Sequence, residues 1–331
     1  IAFGHRRLSI IDTSAAGDQP MQGRSRDGWI ILNGEIYNHQ LLRKQLTASG
    51  TQFRGHSDTE ILLASIEEWG LEVTLKKIVG MFAFAYWDSR QKTLALVRDR
   101  AGEKPLYWGL QNHKLYFASE LRAIKQHPDF CSKLDQEAAV SFLRFGYVPS
   151  GQSIFKNIKK LPPATMLTFK QVGNQLSLTG PIAYWSLDKI LHKPVLKRTD
   201  EEAINETESL LEQSVKQQMI ADVPLGAFLS GGIDSSLIVA LMQKQSVNPI
   251  KTFSIGFYDK HFNEAGLAKC VAQYLKTDHT EYYVKEEDAR NLIPDIPKLY
   301  DEPFADSSQI PMLLLSKMAR QDVTVALSGD A

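Results

Sequence analysis

The chain has 331 residues and 43% of them are hydrophobic, so it is long enough to form two hydrophobic cores. Its 38 basic and 38 acidic side chains balance to a formal net charge of zero, which gives no electrostatic case for binding nucleic acid or an anionic membrane. The sequence shows no apolar run of membrane-spanning length and no signal-peptide pattern, and Cys131 and Cys270 match no metal-binding spacing. We therefore expect a cytoplasmic globular protein with no membrane and no nucleic acid among its partners.

Short strands separated by polar turns are predicted up to Ser119. The strand patterns cover residues 30–33, 82–87, 93–98, 106–110 and 114–118. Helical patterns interrupt them over residues 37–46 and 58–69, and Ser57 or Asp58 is suited to cap the second one. Ile1 also lies in a run that looks like a strand. This order predicts an α+β domain, with antiparallel sheets covered by helices.

The pattern weakens between residues 133 and 198. The prolines that interrupt it are Pro149, Pro162, Pro163, Pro181 and Pro194. Because proline breaks both helices and inner strands, we interpret this stretch as the trailing edge of a first domain and a linker. The predicted domains are therefore residues 1–198 and 199–331.

Strands and helices alternate in the second domain. Helices are predicted over residues 200–220, 235–245, 263–275, 288–300 and 309–320, and strands over residues 224–229, 252–257, 279–284 and 323–327. Such alternation predicts an α/β domain, a parallel sheet with helices on both faces. Ligands bind such sheets at the carboxyl ends of the strands, so the segments after residues 229, 255 and 327 are expected to converge on one crevice.

The loop from Ser230 to Ser236 is the most informative motif. Its sequence, Ser-Gly-Gly-Ile-Asp-Ser-Ser, runs from a predicted strand into a predicted helix, where backbone N–H groups and the positive end of the helix attract an anion. No Lys follows the glycines, so this is not a Walker loop. The carboxylate of Asp234 disfavours a bare phosphate and indicates a metal ion between it and the phosphate oxygens. The alternative is a Gly-Ser turn that only connects strand to helix.

Several segments occur together in one order. They are Gly-His-Arg-Arg-Leu-Ser-Ile-Ile-Asp at 4–12, Asn-Gly-Glu-Ile-Tyr-Asn at 33–38, Ser-Asp-Thr-Glu at 57–60, Gly-Met-Phe-Ala-Phe at 80–84, Arg-Asp-Arg-Ala-Gly-Glu-Lys-Pro-Leu-Tyr at 98–107, Ala-Ser-Glu at 118–120, Asp-Glu-Pro-Phe-Ala-Asp-Ser-Ser at 301–308 and Leu-Ser-Gly-Asp at 327–330. With the loop at 230–236, this set resembles the glutamine-dependent asparagine synthetases over nearly the whole chain. The resemblance implies an N-terminal-nucleophile-type antiparallel sandwich followed by a doubly wound ATP pyrophosphatase domain. It also suggests a homodimer.

The resemblance implies a glutamine site in the first domain. Arg7 would bind the α-carboxylate, because a planar guanidinium can bind a carboxylate through two parallel hydrogen bonds. Asp58 would bind the ammonium group, and Asn33 and Gly34 would form the catalytic oxyanion hole. The implied glutamine-binding residues are Arg7, Leu8, Ser9, Ile10, Ile11, Asn33, Gly34, Glu35 and Asp58.

Each of these residues also has a structural alternative when it is taken alone. Asn33-Gly34 is typical of a hairpin turn, Asp58 of a helix cap, and Arg7 of a solvated surface charge. We interpret His5 as structural, since nothing in the sequence pairs it with a nucleophile.

The resemblance implies an ATP site in the second domain. Leu229 and Ile255 would lie against the adenine and ribose. The pyrophosphate-binding residues would be Ser230, Gly231, Gly232, Asp234, Ser235 and Ser236, with Asp234 acting through Mg²⁺. Ser328 and Gly329 would contact ATP again, and Asp330 would support formation of the acyl-adenylate. For residues 301–308 two interpretations stay open: a lip of the aspartate or tunnel region, or a loop that caps the next helix through Asp306 or Ser307.

One position departs from the family pattern. The family's nucleophile is an N-terminal cysteine whose own α-amine serves as the base, whereas position one here is Ile1. Cys131 and Cys270 are internal and have no free amine. We therefore expect that the nucleophile lies upstream of Ile1 or is absent from the protein, and that the sequence is a fragment cut at both ends.

The expected activity is a ligase reaction, in which ATP, aspartate, glutamine and water give AMP, pyrophosphate, asparagine and glutamate through β-aspartyl-AMP. Two alternatives share the fold: an amidotransferase for another carboxylate, and a β-lactam-synthetase-like enzyme that uses the adenylate for ring closure. A third alternative is a non-catalytic module that binds ATP or glutamine. The glutamine-site residues argue against an inactive first domain, because an unused pocket has no need of a carboxylate clamp and an oxyanion hole.

Overall fold

The computed structural model describes residues 1–173, 175–194, 197–258 and 263–329, which form two compact units. The first unit comprises Ile1–Pro194 and Tyr300–Ala305, and the second comprises the other described residues. Among the described residues, no helix combines the length and the apolar character needed to cross a membrane.

The first unit contains two antiparallel sheets. Its strands are β1 (Met21–Gln22), β2 (Gly28–Ile36), β3 (Gly80–Asp88), β4 (Thr93–Arg98), β5 (Tyr107–Gln111), β6 (Lys114–Ala118), β7 (Ile158–Lys160), β8 (Thr165–Val172) and β9 (Gln175–Ala183). Its helices are α1 (His39–Ala48), α2 (Asp58–Trp69), α3 (Leu71–Lys77), α4 (Leu121–Lys125), α5 (Gln136–Phe145) and α6 (Asp188–Leu191), and a short 3₁₀ turn covers Ala15–Gly17. The larger sheet has the order β1-β2-β3-β4-β8-β9, and the smaller has the order β6-β5-β7.

The period-two pattern of β2 explains the layering of this unit. Ile30 and Leu32 point to one face, where they pack with the apolar faces of α1, α2 and α3. Ile31 points to the other face and joins a core shared with Trp108 of the smaller sheet and Phe169 of β8. The larger sheet therefore lies between helices and the second sheet, as the predicted helix-covered sandwich requires.

The stretch interpreted as the trailing edge of the first domain and a linker contains more regular structure than the sequence predicted. It contains α5, which begins at the N-cap Asp135 and ends at Gly146 in the left-handed conformation. It also contains the β8–β9 hairpin, and β8 extends the larger sheet by pairing with β4. Phe169 is 1% exposed, so this stretch belongs to the core of the first unit. The strand expected at Ile1 is also absent, since residues 1–9 form no regular element.

The second unit is a parallel sheet between helices. Its elements are α7 (Asp200–Gln218), β10 (Leu225–Phe228), α8 (Ile233–Lys244), β11 (Lys251–Phe257), α9 (Ala265–Leu275), β12 (Asp278–Val284), α10 (Glu286–Leu292), a 3₁₀ turn (Ile293–Asp295), α11 (Ile296–Leu299), α12 (Gln309–Ala319) and β13 (Val325–Leu327). The strand order is β12-β11-β10-β13 and all three pairings are parallel. One core joins the sheet to α7, α8 and α9, and another joins it to α12, so helices cover both faces as predicted.

This strand order creates a topological switch point. From β10 the chain moves outward to β11 and β12 and then returns to place β13 on the other side of β10. Connections that leave a central strand in opposite directions open a crevice at its carboxyl end. The Ser230 loop follows β10, so it lies at this switch point.

Candidate functional site

A cavity of about 140 Å³ lies in the first unit, and we call it the Glu35 pocket. It is lined by His5, Arg6, Arg7, Leu8, Ile10, Ile11, Gln19, Leu32, Asn33, Gly34, Glu35, Asp58, Thr59, Met81 and Lys104. Every residue predicted to bind glutamine is among them except Ser9. The N-terminal segment, β2, the start of α2 and the loop after β4 therefore meet at one cavity.

Asn33 and Gly34 lie inside β2, so the alternative of a hairpin turn at these residues is wrong. Gly34 pairs with Phe82 and has a φ of +137°. A Cβ atom at Gly34 would lie 2.0 Å from the carbonyl oxygen of Met81, so the close approach of β2 and β3 requires glycine. The side-chain amide of Asn33 donates to Ser119 Oγ at 3.0 Å, which orients it at the end of β6.

Asp58 is a buried carboxylate at the N-terminus of α2. Ser57 caps this helix by accepting from the N–H of Glu60, so Asp58 is not the cap. The Asp58 carboxylate instead accepts from the N–H groups of Ile36 and Thr59, each at 2.8 Å. Burial raises the pKa of Asp58, and these two donors oppose the rise.

Glu35 has a different environment from Asp58. It is 6% exposed, and its Oε1 atom is buried without a hydrogen-bond partner. Burial, followed by repulsion from Asp58, raises the pKa of Glu35 to about 7, while the charge of Lys104 acts in the opposite direction. The pocket is therefore lined by a carboxyl group whose pKa is near neutral pH.

Arg7 stabilises one wall of the Glu35 pocket through hydrogen bonds to the backbone. Its guanidinium donates to the backbone oxygens of Ile11, Asp12 and Ser14 at 2.9, 2.5 and 3.2 Å. Its side chain is 14% exposed, so the alternative of a solvated surface charge is wrong. The structure gives Arg7 a role in shaping the loop at residues 11–14 in addition to its place in the lining.

The loop after β4 brings Lys104 to the pocket. Asp99 is fully buried and accepts from four backbone N–H groups, those of Phe82, Gly102, Glu103 and Lys104. The Arg98 guanidinium donates to three carbonyl oxygens of the same region, including that of Lys104 at 2.7 Å. The loop is thus folded around the buried carboxyl group of Asp99.

The sequence analysis missed several lining residues. They are His5, Arg6, Gln19, Leu32, Thr59, Met81 and Lys104. His5, which we interpreted as structural, donates from Nε2 to the Leu32 carbonyl at 3.0 Å and also lines the pocket. Lys104 belongs to a segment that carries the family resemblance, so its sequence signal was present without an assigned role.

The Ser230 loop in the second unit is a compact turn. Ser235 Oγ accepts from the Ser230 N–H at 3.2 Å, and the two hydroxyls lie 2.9 Å apart. Gly231 has a φ of +82°, and a Cβ atom there would lie 2.7 Å from the backbone nitrogen of Ala268. Gly232 is the N-cap of α8 and provides no side-chain oxygen to its first N–H groups. These groups are therefore available to an anion.

The other residues predicted for the ATP site lie around this loop. Leu229 is buried, and Phe228 pairs with Phe253, so Ile255 is level with Ser230 in the sheet. A Cβ atom at Gly329 would lie 2.5 Å from the Ser235 nitrogen, so the segment after β13 touches the loop. Ser236 Oγ is buried without a partner, Ser328 follows β13 directly, and Asp330 lies outside the described residues.

The chemistry of this loop would suit Mg²⁺ held by Asp234 together with oxygens of a bound substrate. Asp234 is exposed in the first turn of α8. The described residues contain no cluster of three or more His, Cys, Asp or Glu side chains that would hold a metal ion alone. Mg²⁺ is usually held by one or two carboxylates and substrate phosphates, so a single carboxylate beside an anion-binding turn suits it.

For the segment at 301–308, the structure tests only the predicted helix cap, and a lip of the aspartate or tunnel region stays a prediction. Asp301 and Glu302 belong to the first unit, where Glu302 accepts from the Ile154 N–H at 2.8 Å and pairs with Lys160 at 2.6 Å. The N-cap of α12 is Ser308, without a side-chain cap bond, so neither Asp306 nor Ser307 is the cap residue. Asp306 instead accepts from the Ser308 N–H at 2.8 Å.

Both parts of the chain match known protein families. The glutamine amidotransferase domain family matches residues 1–185, and the asparagine synthase family matches residues 206–331. The chain belongs to the glutamine-dependent asparagine synthetase family. The family's two domains thus correspond to the stretches that carry the Glu35 pocket and the Ser230 loop.

Individual relatives agree with this assignment. The chain is 38% identical to asparagine synthetase [glutamine-hydrolyzing] 1 of Bacillus subtilis over 330 residues, which is 100% of this chain and 50% of that protein. It is 36% identical over 350 residues to putative asparagine synthetase [glutamine-hydrolyzing] 2 of Methanocaldococcus jannaschii, covering 100% of this chain and 65% of that protein. A more distant relative is amidase chyE of Penicillium rubens, 30% identical, covering 100% of this chain and 50% of that protein. The chain thus spans between half and two thirds of these relatives.

Proposed function

We propose that this protein contributes to ATP-dependent asparagine synthesis from aspartate, with glutamine as the source of ammonia. The observation that carries the proposal is the presence of two separately built sites in one chain of this family. The Glu35 pocket offers carboxylates and an amide for an amino acid, and the Ser230 loop offers backbone N–H groups for an anion. ATP, aspartate and glutamine are the proposed substrates, and a homodimer in the cytoplasm is the proposed setting.

In the proposed glutaminase step, the first unit binds and polarises glutamine. Asp58 attracts the substrate ammonium, and Arg7 fixes the loop that faces the α-carboxylate. The Asn33 amide and the Gly34 N–H stabilise the oxyanion of the tetrahedral intermediate, an interaction that strengthens as charge develops. The Asn33–Ser119 hydrogen bond supports this role because it keeps the amide pre-oriented.

In the proposed synthetase step, the second unit holds ATP by its phosphates. The N–H groups at the start of α8 and the hydroxyls of Ser230 and Ser235 bind pyrophosphate oxygens, and Gly231 permits the close approach of the backbone. Asp234 would hold Mg²⁺, which supplies charge neutralisation between the phosphates. Attack of the aspartate carboxylate on the α-phosphorus then releases pyrophosphate, and ammonia displaces AMP from the acyl-adenylate. Asp330 is proposed to support the first of these steps.

The substitution Asp234→Asn separates the two proposed sites. We expect pyrophosphate release to fall by about 10²-fold or more, because one charged transition-state contact is lost. In the complete protein, glutamate release from glutamine is expected to be unchanged, since Asp234 belongs to the other unit. The matched control is Asp278→Asn, an exposed carboxylate at the opposite, amino-terminal end of β12. Near-normal pyrophosphate release by Asp234→Asn would show that the loop is not a pyrophosphate site.

A second candidate function has the same adenylating step and a different carboxylate acceptor. It is favoured by the similarity to a protein named as an amidase, which matches this chain over its whole length, as the asparagine synthetases do. Replacing aspartate by other carboxylic acids in the pyrophosphate-release assay distinguishes the two functions.

A further inference from the structure

Asp12 is a buried carboxylate that joins two loops next to the Glu35 pocket. It is 1% exposed, and it is not among the described residues that line the pocket. Its Oδ1 atom accepts from the N–H and from the hydroxyl of Ser14, at 3.1 and 2.5 Å. Its Oδ2 atom accepts from the N–H of His56 at 2.7 Å. The carboxylate therefore ties its own loop to the loop that precedes α2.

The hydrogen bonds keep the Asp12 carboxylate charged. Burial alone would raise the pKa of Asp12, but the donors of Ser14 and His56 lower it to about 2. The ring Nδ1 atom of His56 also lies 3.5 Å from Oδ2. Hydrogen bonds to an ionised group are shorter and stronger than those between neutral groups. The tie between the two loops is therefore charge-assisted at neutral pH.

The loop before α2 is held through three consecutive backbone N–H groups. Glu60, in the first turn of α2, accepts from the N–H groups of Arg54 and Gly55 at 2.8 and 3.0 Å. Asp12 accepts from the next one, that of His56. A Cβ atom at Gly55 would lie 2.3 Å from Asp12 Oδ2, so the two loops approach each other as closely as glycine permits.

The two loops carry the parts of the pocket proposed to face the α-carboxylate and the ammonium of glutamine. Arg7 lines the pocket and donates to three backbone oxygens of residues 11–14, so it is bound to the loop of Asp12. Asp58 lines the pocket two residues after His56, at the start of α2. A hydrogen-bonded path thus runs from Arg7 through Asp12 to the segment that carries Asp58.

We propose that Asp12 is a positioning residue that sets the spacing between these two parts of the pocket, and thereby its preference for ligands that carry both an ammonium and a carboxylate. In an α-amino acid a single carbon atom separates the two groups, so a ligand engages both parts only when they lie at one spacing. Without the tie, a change of spacing removes one of the two contacts and weakens binding. This inference rests on the proposed function, because it takes glutamine as the ligand.

Substitutions on each side of the tie test this role in the complete enzyme. Asp12→Gly removes the carboxylate, and glycine adopts the left-handed φ of +57° at this position without strain. Gly55→Ala acts from the other loop, because its Cβ atom would displace Asp12 Oδ2. Ser14→Ala is the matched control, because it removes one donor to Oδ1 and leaves the hydrogen bond from His56 in place.

Glutamate release is measured against glutamine concentration, and inhibition by 4-aminobutanamide, which is glutamine without its α-carboxylate, is measured in parallel. We expect KM for glutamine to rise by about tenfold in Asp12→Gly and in Gly55→Ala with little change in kcat, because a contact made equally in the ground and transition states is lost. The inhibition constant of 4-aminobutanamide should stay the same, since this ligand engages only one of the two parts. Ser14→Ala should match the unmodified enzyme in both constants.

The outcomes distinguish this inference from the proposed function. An unchanged KM for glutamine in both variants, or an inhibition constant that rises as much as KM, overturns the inference and leaves the glutamine site standing. Failure of the unmodified complete enzyme to release glutamate from glutamine overturns the inference and the proposed glutamine site together. Ammonium-dependent asparagine formation and thermal unfolding show that each variant is folded.

Discussion

Gly34 determines how closely two strands approach at the Glu35 pocket. Its φ of +137° and the 2.0 Å separation between an added Cβ and the Met81 oxygen leave no room for a side chain. The same backbone offers the N–H group proposed for the oxyanion hole. One residue thus serves both the pairing of β2 with β3 and the proposed chemistry.

The substitution Gly34→Ala is expected to destabilise the first unit by about 3 kcal/mol or more, because it adds a backbone clash to an unfavourable φ. The control is Gly50→Ala, where φ is +88° and nothing lies within 4 Å of an added Cβ. That change should cost only about 1 kcal/mol of conformational strain. Urea unfolding measures both, and equal losses would contradict the account of strand contact at Gly34.

At the residue scale, sequence reasoning located the pocket but not its complete lining. Asn33, Gly34 and Asp58 lie in short segments that mark the family, so resemblance identified them. Gln19 lines the pocket because its amide bridges the Leu32 N–H and Thr59 Oγ1, contacts that only the folded chain provides. Lys104 likewise depends on the loop folded around Asp99.

At the scale of elements, the Ser230 loop depends on α9 as well as on its own sequence. Gly231 lies against the start of that helix, with an added Cβ 2.7 Å from the Ala268 nitrogen and from Leu267 Cβ. A side chain here would push the turn away from α9 and shift the N–H groups at the start of α8. The packing of two helices therefore sets the geometry of the proposed phosphate site.

The substitution Gly231→Ala should reduce aspartate-dependent pyrophosphate release by about 10²-fold, since displacements near 1 Å at a reacting group have effects of this size. The matched control is Gly232→Ala, whose added Cβ has Ser230 Oγ as its nearest neighbour at 3.3 Å. It should retain far more activity. If both variants were equally active, contact with α9 would not position the loop.

Residues 301 and 302 connect a later part of the chain to the first unit. Glu302 accepts from the Ile154 N–H and from Tyr107 Oη, and it forms an ion pair with Lys160 at 2.6 Å. Asp301 accepts from the Leu121 N–H at 2.6 Å. The side chains of Glu302 and Lys160 are only 9% and 19% exposed, so removing one partner leaves a largely buried charge unpaired and costs more than breaking a surface pair.

The substitution Glu302→Gln should lower the unfolding free energy of the first unit by about 2 kcal/mol, because it leaves the half-buried Lys160 without its counter-charge. Glu137→Gln, at an exposed site in α5, should cost about 0.5 kcal/mol or less. A double-mutant cycle with Lys160→Gln measures the coupling by urea unfolding. A coupling energy of zero would mean that the ion pair does not stabilise the packing of residues 301 and 302 in the first unit.

The elements themselves were predictable to different degrees. The alternating pattern and its caps gave α2, β4 and β6 with the bounds that the structure has. The β8–β9 hairpin was missed because the prolines in and around it suggested a linker, whereas Phe169 and Leu167 are buried against the smaller sheet. Long-range burial, which sequence periodicity does not reveal, decides the structure of such a stretch.

At the scale of the whole molecule, each unit contains one proposed site. The first unit provides the Glu35 pocket in an antiparallel sandwich, and the second provides the Ser230 loop at the switch point of a parallel sheet. In the proposed function, the first unit is the source of ammonia and the second unit consumes it. The central claim is that the second unit forms an adenylate, which the ammonia from the first unit then consumes.

Identification of the nucleotide product and the acceptor tests this claim most directly. The complete enzyme is incubated with labelled ATP, Mg²⁺, ammonium or glutamine, and either aspartate or another carboxylic acid, and the nucleotides are separated. We predict AMP and pyrophosphate only when aspartate is present, with ammonium able to replace glutamine. Formation of AMP with a different acid and not with aspartate would contradict the asparagine assignment, and formation of ADP and phosphate would contradict the adenylating mechanism itself.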